Sequence, residues 1–272
     1  MKRLLAPLRD SVERFPIVAE SYRMLRDLVQ FRLAKPRALS HGIKLMGDAK
    51  MISDDYEADQ TLIISNALAS ADVLIDVGAN IGYYTCLARR RGLTVVAFEP
   101  STTALRFLYA NLLANGLRDV EVLPLGASDK IDLVPLFGTG GSASLVPGWS
   151  RASATYSSVI PTTTLDHVLA NRFLDKRLFI KIDVEGGELA CLRGARETIA
   201  RTVAPVWFVE IYLNTGLLHN AHFAETFELF WEHGYSAKLA SAEASPVTRN
   251  DVERWMSGST PPPAYNFTFA RS

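Results

Sequence analysis

The run LIDVGANIGYYT at residues 74–85 limits this chain more than any other stretch. Val73, Leu74 and Ile75, of strand character, lead to Asp76. A turn with glycines at 78 and 82 follows, and a helical pattern begins at Tyr83. A strand, a glycine turn and a helix in that order open a βαβ unit, the building block of a parallel sheet covered by helices. Glycines in such a turn let backbone come close to a ligand, and the helix N-terminus favours polar or anionic groups. The next strand, TVVAFE (94–99), ends in Glu99, 17 residues after Gly82, and Pro100 stops it. A carboxylate at that place can accept both hydroxyls of a ribose.

The alternation continues. A helix is predicted over 101–115, with a serine start signal and Gly116 just past its end. Further strands are predicted at 120–125, 178–183, 206–212, 235–239 and 265–270. Helices are predicted at 187–201 and 223–233. Residues 126–137 read as strand or hairpin, 138–150 as a Gly- and Ser-rich loop, and 241–263 as an excursion between the last strands. The fold class is therefore α/β, a doubly wound, mostly parallel sheet.

The turn suits one adenosine-bearing cofactor better than another. A pyrophosphate site wants G-x-G-x-x-G. Here Asn80 stands at the second glycine, and Asp76 before the turn would repel a pyrophosphate but suits a cationic amino-acid end. S-adenosyl-L-methionine is favoured over NAD on that ground. A second motif, FIKIDVEGGELACLRGA (179–195), puts Lys181 and Asp183 on one side of a strand and Asp183 at its carboxyl edge. Glu185 and Glu188 follow, and Glu188 reads equally well as an ordinary N-terminal helix acid.

These runs resemble the FkbM-type methyltransferase family: DVGANIGYYT, FEP at 98–100, KIDVEGGE at 181–188 with LRGA behind it, and VEIY at 209–212. The likeness spans roughly residues 50–270. It implies a class I methyltransferase (Rossmann-like) sheet of seven strands, the last antiparallel, with S-adenosyl-L-methionine as methyl donor. It also implies O-methylation of a hydroxyl on a sugar, a glycan precursor or a polyketide-like acceptor. Carried onto this chain, it makes Asp76, Gly78, Asn80, Gly82 and Glu99 cofactor-binding, and it puts Asp183 and Glu185 at the reaction site. DDYE (54–57) falls where the family has an aromatic–acid pair, which makes Tyr56 and Glu57 candidates to line the acceptor side. His219, after VEIY, is a further acceptor-side candidate beside the plainer reading of a surface histidine. The competing readings are an NAD-dependent nucleotide-sugar oxidoreductase and a non-catalytic S-adenosyl-L-methionine-binding module.

Composition excludes other classes. With 29 basic and 29 acidic residues, the formal net charge is +0, and no basic balance points to nucleic acid. Residues 1–37 carry nine Lys or Arg against four Asp or Glu, so the rest is acidic overall. This basic stretch has helical spacing. It reads as a packing cap, with a membrane-surface segment as the alternative. The predicted division is an N-terminal helical extension at 1–45 and a methyltransferase domain at 46–272. Pro7, Arg9 and Asp10 break any signal-peptide core, and no run of about 18 uncharged apolar residues exists. A cytoplasmic chain is expected, with no integral membrane segment. The two cysteines, Cys86 and Cys191, form no disulfide framework and read as buried small hydrophobes. Asp183, Glu185, Glu188 and Glu210 have the oxygen ligands that Mg²⁺ takes, but carboxylates at strand ends have other uses, and no metal is predicted.

Overall fold

Strand β1, Val73–Val77, is buried at all five residues, and its alternation shows how the molecule is layered. Val73, Ile75 and Val77 belong to one apolar cluster, while Leu74 belongs to another. The same alternation recurs in β4 (Leu178–Ile182) and β5 (Val206–Glu210), where Phe179 and Phe208 face the second cluster and their neighbours face the first. A strand with apolar residues on both faces is a central strand covered by helices on both sides. The computed structural model describes residue 25 and residues 28–138, 140–149, 157–215 and 218–271.

The remaining strands of the main sheet are β2 (Thr94–Phe98), β3 (Glu121–Leu123), β6 (Ser236–Leu239), β7 (Pro246–Val247) and β8 (Asn266–Ala270), in the order β7-β6-β8-β5-β4-β1-β2-β3. Neighbours from β3 through β5 are parallel, and β8 enters antiparallel between β5 and β6. This is the expected α/β class with its last strand antiparallel. It has eight strands rather than seven, because Pro246 and Val247 add a short antiparallel edge inside the predicted excursion. The strand order reverses direction between β1 and β4. Crossover helices leave to opposite faces there, so a crevice opens at the strands' carboxyl ends.

One face carries α1 (Ala58–Leu68), α2 (Tyr83–Arg90) and α3 (Thr102–Ala114). The other carries α4 (Glu188–Arg193), α5 (Phe223–Trp231) and α6 (Arg249–Met256). Phe223, Phe227, Phe230, Phe267 and Phe269 are fully buried between α5 and β8, with Phe230 and Phe269 stacked at 3.9 Å. Burial of each such ring is worth ~1.5–3 kcal/mol.

Two sequence expectations change. The single helix predicted over 187–201 breaks into α4 and a short helix at Arg196–Ile199. Gly194 lies so close to another segment that a Cβ there would sit 2.0 Å from the Ser128 carbonyl oxygen, and its own carbonyl accepts from Asp166 N. Residues 126–137 leave the main sheet. Gly126–Ala127 and Asp132–Phe137 pair with Ser157–Thr163 in a separate three-stranded sheet.

Of the predicted N-terminal extension, residues 1–24, 26 and 27 lie outside the described residues. Residues 28–33 are helical, and Phe31 meets Phe107 edge-on at 5.1 Å. Residues 37–45 form a hairpin rather than a helix, with Arg37–Ala38 against Lys44–Leu45, and Ile43 and Leu45 are fully buried. Two asparagines one turn apart on α3 and at its C-cap hold this hairpin. Lys44 N and O bond the Asn115 amide at 2.8 and 2.6 Å, and Met46 N and O bond the Asn111 amide at 2.6 and 3.0 Å. The two side chains thus act as a strand neighbour for backbone that has none. Asn111 also donates to Ile81 O at 2.8 Å, which joins the hairpin to the glycine turn.

Asn111 is completely buried, so its loss would leave three backbone groups without partners. Asn111→Ala is expected to destabilise the protein by about 3 kcal/mol, the scale of several unmet buried hydrogen bonds. Urea denaturation of the variant beside the parent protein measures this directly.

Candidate active site

The glycine turn exists because three strand ends converge on it. Gly78 N and Ala79 N both donate to Phe98 O at 2.9 Å, tying the turn to the end of β2. Asp183 N donates to Val77 O at 3.0 Å, tying it to the end of β4. A Cβ on Gly78 would stand 1.8 Å from the Asp183 carbonyl oxygen, and φ there is +79°. Only glycine lets β1 and β4 meet that closely.

The cleft above this junction encloses about 210 Å³. Gly78, Asn80, Glu99 and Pro100 line one end, and Asp183, Glu185, Glu210, Tyr212, Tyr56 and Glu57 line the other. Residues 140–145 form a roof. Five carboxylates face this space, and among the described residues no Lys, Arg or His lines it.

Glu99 is held at the floor. Its Oε2 accepts from Asn80 N at 2.8 Å and its Oε1 from Ser101 N at 2.7 Å, with only 5% of the residue exposed. Burial pushes its pKa up to about 7 against the pull of those two donors. Each carboxylate oxygen keeps a lone pair for a further donor. Asn80 takes a left-handed conformation, φ 50°, and its amide packs under Gly141 in the roof, where a Cβ would lie 2.6 Å from Nδ2. Gly140 N donates to Ser101 Oγ at 3.2 Å, so the roof rests on the N-cap of α3.

At the other end, strand alternation puts Asp76, Lys181, Asp183 and Glu210 on the sheet face shared with Phe179 and Phe208. Lys181 is the buried cation beneath them. Its side chain is 4% exposed, donates to Asp183 Oδ2 at 3.0 Å and lies 5.5 Å from the Tyr84 ring centre. The Asp183 side chain is 32% exposed and opens on the cleft. Burial raises its pKa, but the Lys181 charge and the hydrogen bonds to it pull harder and leave it below the ordinary carboxylate value. Glu210, at the end of β5, is pushed up to about 10 by burial and then by Asp183's charge. Tyr212 donates its hydroxyl to Glu210 Oε1 at 3.1 Å.

Glu185 has left-handed backbone, φ 55°, and joins the roof to the Asp183 end of the cleft. Its Oε2 accepts from Trp149 Nε1 at 2.9 Å and its carbonyl from Ser144 Oγ at 2.5 Å. Burial pushes its pKa up to about 7. The Trp149 ring packs on Gly186, where a Cβ would come within 2.5 Å of it. Glu57, also left-handed at φ 45°, accepts from Tyr84 at 3.0 Å, and Tyr56 beside it packs on Tyr83 at 5.4 Å.

Of the residues singled out in the sequence, Gly78, Asn80, Glu99, Asp183, Glu185, Tyr56 and Glu57 come together here, and Asp76, Gly82, Glu188 and His219 do not. Asp76 does not line the cleft. It is buried behind the turn, with Oδ2 accepting from Thr85 Oγ1 at 2.6 Å and Oδ1 without a partner, because β1 reaches the crevice only at Val77 and Gly78. Gly82 also stays outside, and its bareness serves packing, since a Cβ would lie 2.3 Å from Leu108 Cδ1. His219 sits exposed on a two-stranded ribbon, Asn214–Thr215 with Leu218–His219, and bonds Asn214 Oδ1 at 2.9 Å. Glu188 is buried and accepts from Gly186 N at 2.8 Å, which makes it a turn-closing acid. The roof of 140–145 and the setting of Glu210 beside Asp183 were not read from sequence; Trp149, Tyr156 and Tyr212 are aromatics that read equally as stacking on a sugar face or as core or rim packing. Tyr156 lies outside the described residues. Among the described residues no three His, Cys, Asp or Glu side chains group to hold a metal ion. No described helix is long and apolar enough to cross a membrane.

The hexuronic acid methyltransferase AglP of Haloferax volcanii is 28% identical over 166 residues, 59% of this chain and 64% of that protein. The chain therefore spans a little under two thirds of that relative's length. Among solved structures, a precorrin-6y C5,15-methyltransferase from Geobacter metallireducens GS-15 superposes with TM-score 0.45 and 15% identity, covering 83% of this chain and 92% of that one. A SAM-dependent methyltransferase from Agrobacterium tumefaciens superposes with TM-score 0.42 and 12% identity, covering 87% of this chain and 68% of that one. The model of the methyltransferase FkbM domain matches residues 76–237, more than half of the chain, and the protein belongs to that family.

Proposed function

We propose that this methyltransferase transfers the methyl group of S-adenosyl-L-methionine to a hydroxyl of a sugar or glycan-precursor acceptor. The observation that carries the reading is the lining of the cleft: five carboxylates and, among the described residues, no basic side chain. A pyrophosphate placed there would meet only like charge, which argues against NAD. A cationic donor with a ribose suits it. Glu99 is fixed by Asn80 N and Ser101 N with lone pairs to spare, and Gly78 and Gly141 leave room for close approach. The relative named for hexuronic acid supports a sugar acceptor.

When bound, S-adenosyl-L-methionine supplies a methyl group already activated on a sulfonium. The work left to the protein is orientation, worth up to ~7–11 kcal/mol in well-aligned systems, and removal of one proton. Glu99 anchors the donor's hydroxyls from the floor. Asp183 is ionised, open to the cleft and steadied from behind by Lys181, so it can orient the acceptor hydroxyl and take its proton. Glu185, Tyr56 and Glu57 shape the acceptor end, and the Ser144 and Trp149 bonds to Glu185 hold it against the roof.

Two results are expected. Ribose hydroxyls bond best to ionised Glu99, whose pKa is about 7 in the free protein. Below that value a proton must first be lost, so donor affinity should fall with decreasing pH, approaching ~10-fold per pH unit. Glu99→Gln should weaken binding at pH 8 and remove that dependence. Titration calorimetry across pH tests both, and tight NAD binding without S-adenosyl-L-methionine binding would overturn the assignment. Asp183→Asn should leave donor affinity nearly unchanged and lower single-turnover methyl transfer by ~10²-fold or more. A folded Asn variant with a normal transfer rate would remove Asp183 from the reaction.

A further inference from the structure

Two carboxyls end neighbouring parallel strands. Val209 pairs with Ile182 in register, so Glu210 and Asp183 are the next residues on each side and point to the same sheet face. Both line the cleft. Two carboxylates this close in a sheltered site do not both ionise. Their surroundings decide which keeps the proton. Asp183 has an ammonium at 3.0 Å, from Lys181, which is itself buried. Glu210 instead has a neutral phenol beside it, Tyr212, whose hydroxyl donates to Oε1 at 3.1 Å. A phenol donating to Oε1 suits the carbonyl oxygen of a neutral acid and leaves Oε2 to carry the proton.

We propose that Glu210 is a positioning residue that keeps its proton and donates a hydrogen bond through it to Asp183, so that the pair carries one negative charge, on the member that faces the acceptor. The proton's location follows from the register of the two strands, the burial of Glu210 and the placing of Lys181 on Asp183. Its consequence for turnover rests on the reading of Asp183 given above. The other groups around the pair agree with this arrangement. Glu185 follows β4 and Tyr56 and Glu57 precede α1, and Asp76 lies beneath beside Lys181. None of them brings a second cation to Glu210. Burial and Asp183's charge hold the Glu210 carboxyl up to about 10. One neutral acid therefore gives Asp183 a fixed donor without adding charge to a site that already faces four other carboxylates.

The test has two independent readouts on the full-length protein. Infrared difference spectra at neutral pH, parent minus Glu210→Gln, should show the carbonyl stretch of a protonated carboxyl in the parent that the variant lacks. A parent without that band overturns the proposal, whatever the protein catalyses. The second readout is the acid limb of single-turnover methyl transfer. Gln keeps both a donor for Asp183 and an acceptor for Tyr212, so Glu210→Gln should leave the limb in place and retain most of the rate. Glu210→Ala removes the donor to ionised Asp183. It should move the limb to higher pH and lower the rate roughly tenfold, with donor affinity unchanged. If Glu210 is instead ionised, Gln removes a negative charge beside Asp183 and moves the limb to lower pH, which overturns the proposal. A protein that shows the band but transfers no methyl group from S-adenosyl-L-methionine keeps the proton assignment and overturns the reaction instead.

Discussion

The missing side chain at residue 78 is the constraint on which the site is built. A carbon there would overlap the carbonyl of Asp183 at 1.8 Å. Because it is absent, the ends of β1, β2 and β4 share one knot of backbone hydrogen bonds through Val77, Gly78, Ala79, Phe98 and Asp183. That knot sets the distance between one end of the cleft, at Asn80 and Glu99, and the other, at Asp183. Neither end can shift without breaking bonds that the other uses. The geometry of the cleft is thus part of the sheet itself, which makes it stiffer than a site carried on loops.

Charge in the cleft is graded rather than uniform. Five carboxylates facing one small space would repel strongly if all were ionised. Burial lifts Glu99 and Glu185 to about 7, and Glu210 is held higher still. Asp183 alone is held down, by the buried Lys181. Lys181 is placed behind the cleft rather than in it. It selects which acid stays charged, and among the described residues the front of the site has no positive group that would attract phosphate.

Much of this arrangement was legible in the sequence for local reasons. Gly78 and Glu99 follow from strand, turn and helix order. Asp183 follows from alternation in FIKID, which also puts Lys181 on its side of the strand. Other features needed the third dimension. Asp76 and Gly82 stand in the same motif as Gly78, yet one is buried behind the turn and the other makes room for Leu108. Motif membership cannot tell a contact with ligand from a contact with a neighbouring helix. His219 follows the right strand, but a two-residue ribbon carries it to the surface. The roof of 140–149 has no period or motif. Its place depends on where Ser101 and Glu185 lie, residues 39 and 36 positions from their roof partners. The pairing of Glu210 with Asp183 depends on register between β4 and β5, which no local pattern states.

The position of β8 bears on how the molecule is made. This strand, at Asn266–Ala270, lies between β5 and β6, and Glu210 is paired directly with Asn266. During synthesis β6 leaves the ribosome before the strand that must separate it from β5. The half from β1 to β3 with α2 and α3 has all its strands early and can consolidate while the chain is still growing. The wall behind Asp183 and Glu210 cannot be completed until residue 270 has emerged. A nascent chain halted shortly before that point would carry the Glu99 end of the cleft without the strand that backs its Asp183 wall, exposing the edge of β5 to any other strand nearby. Translational pausing near the end of the message would therefore act on the Asp183 half alone.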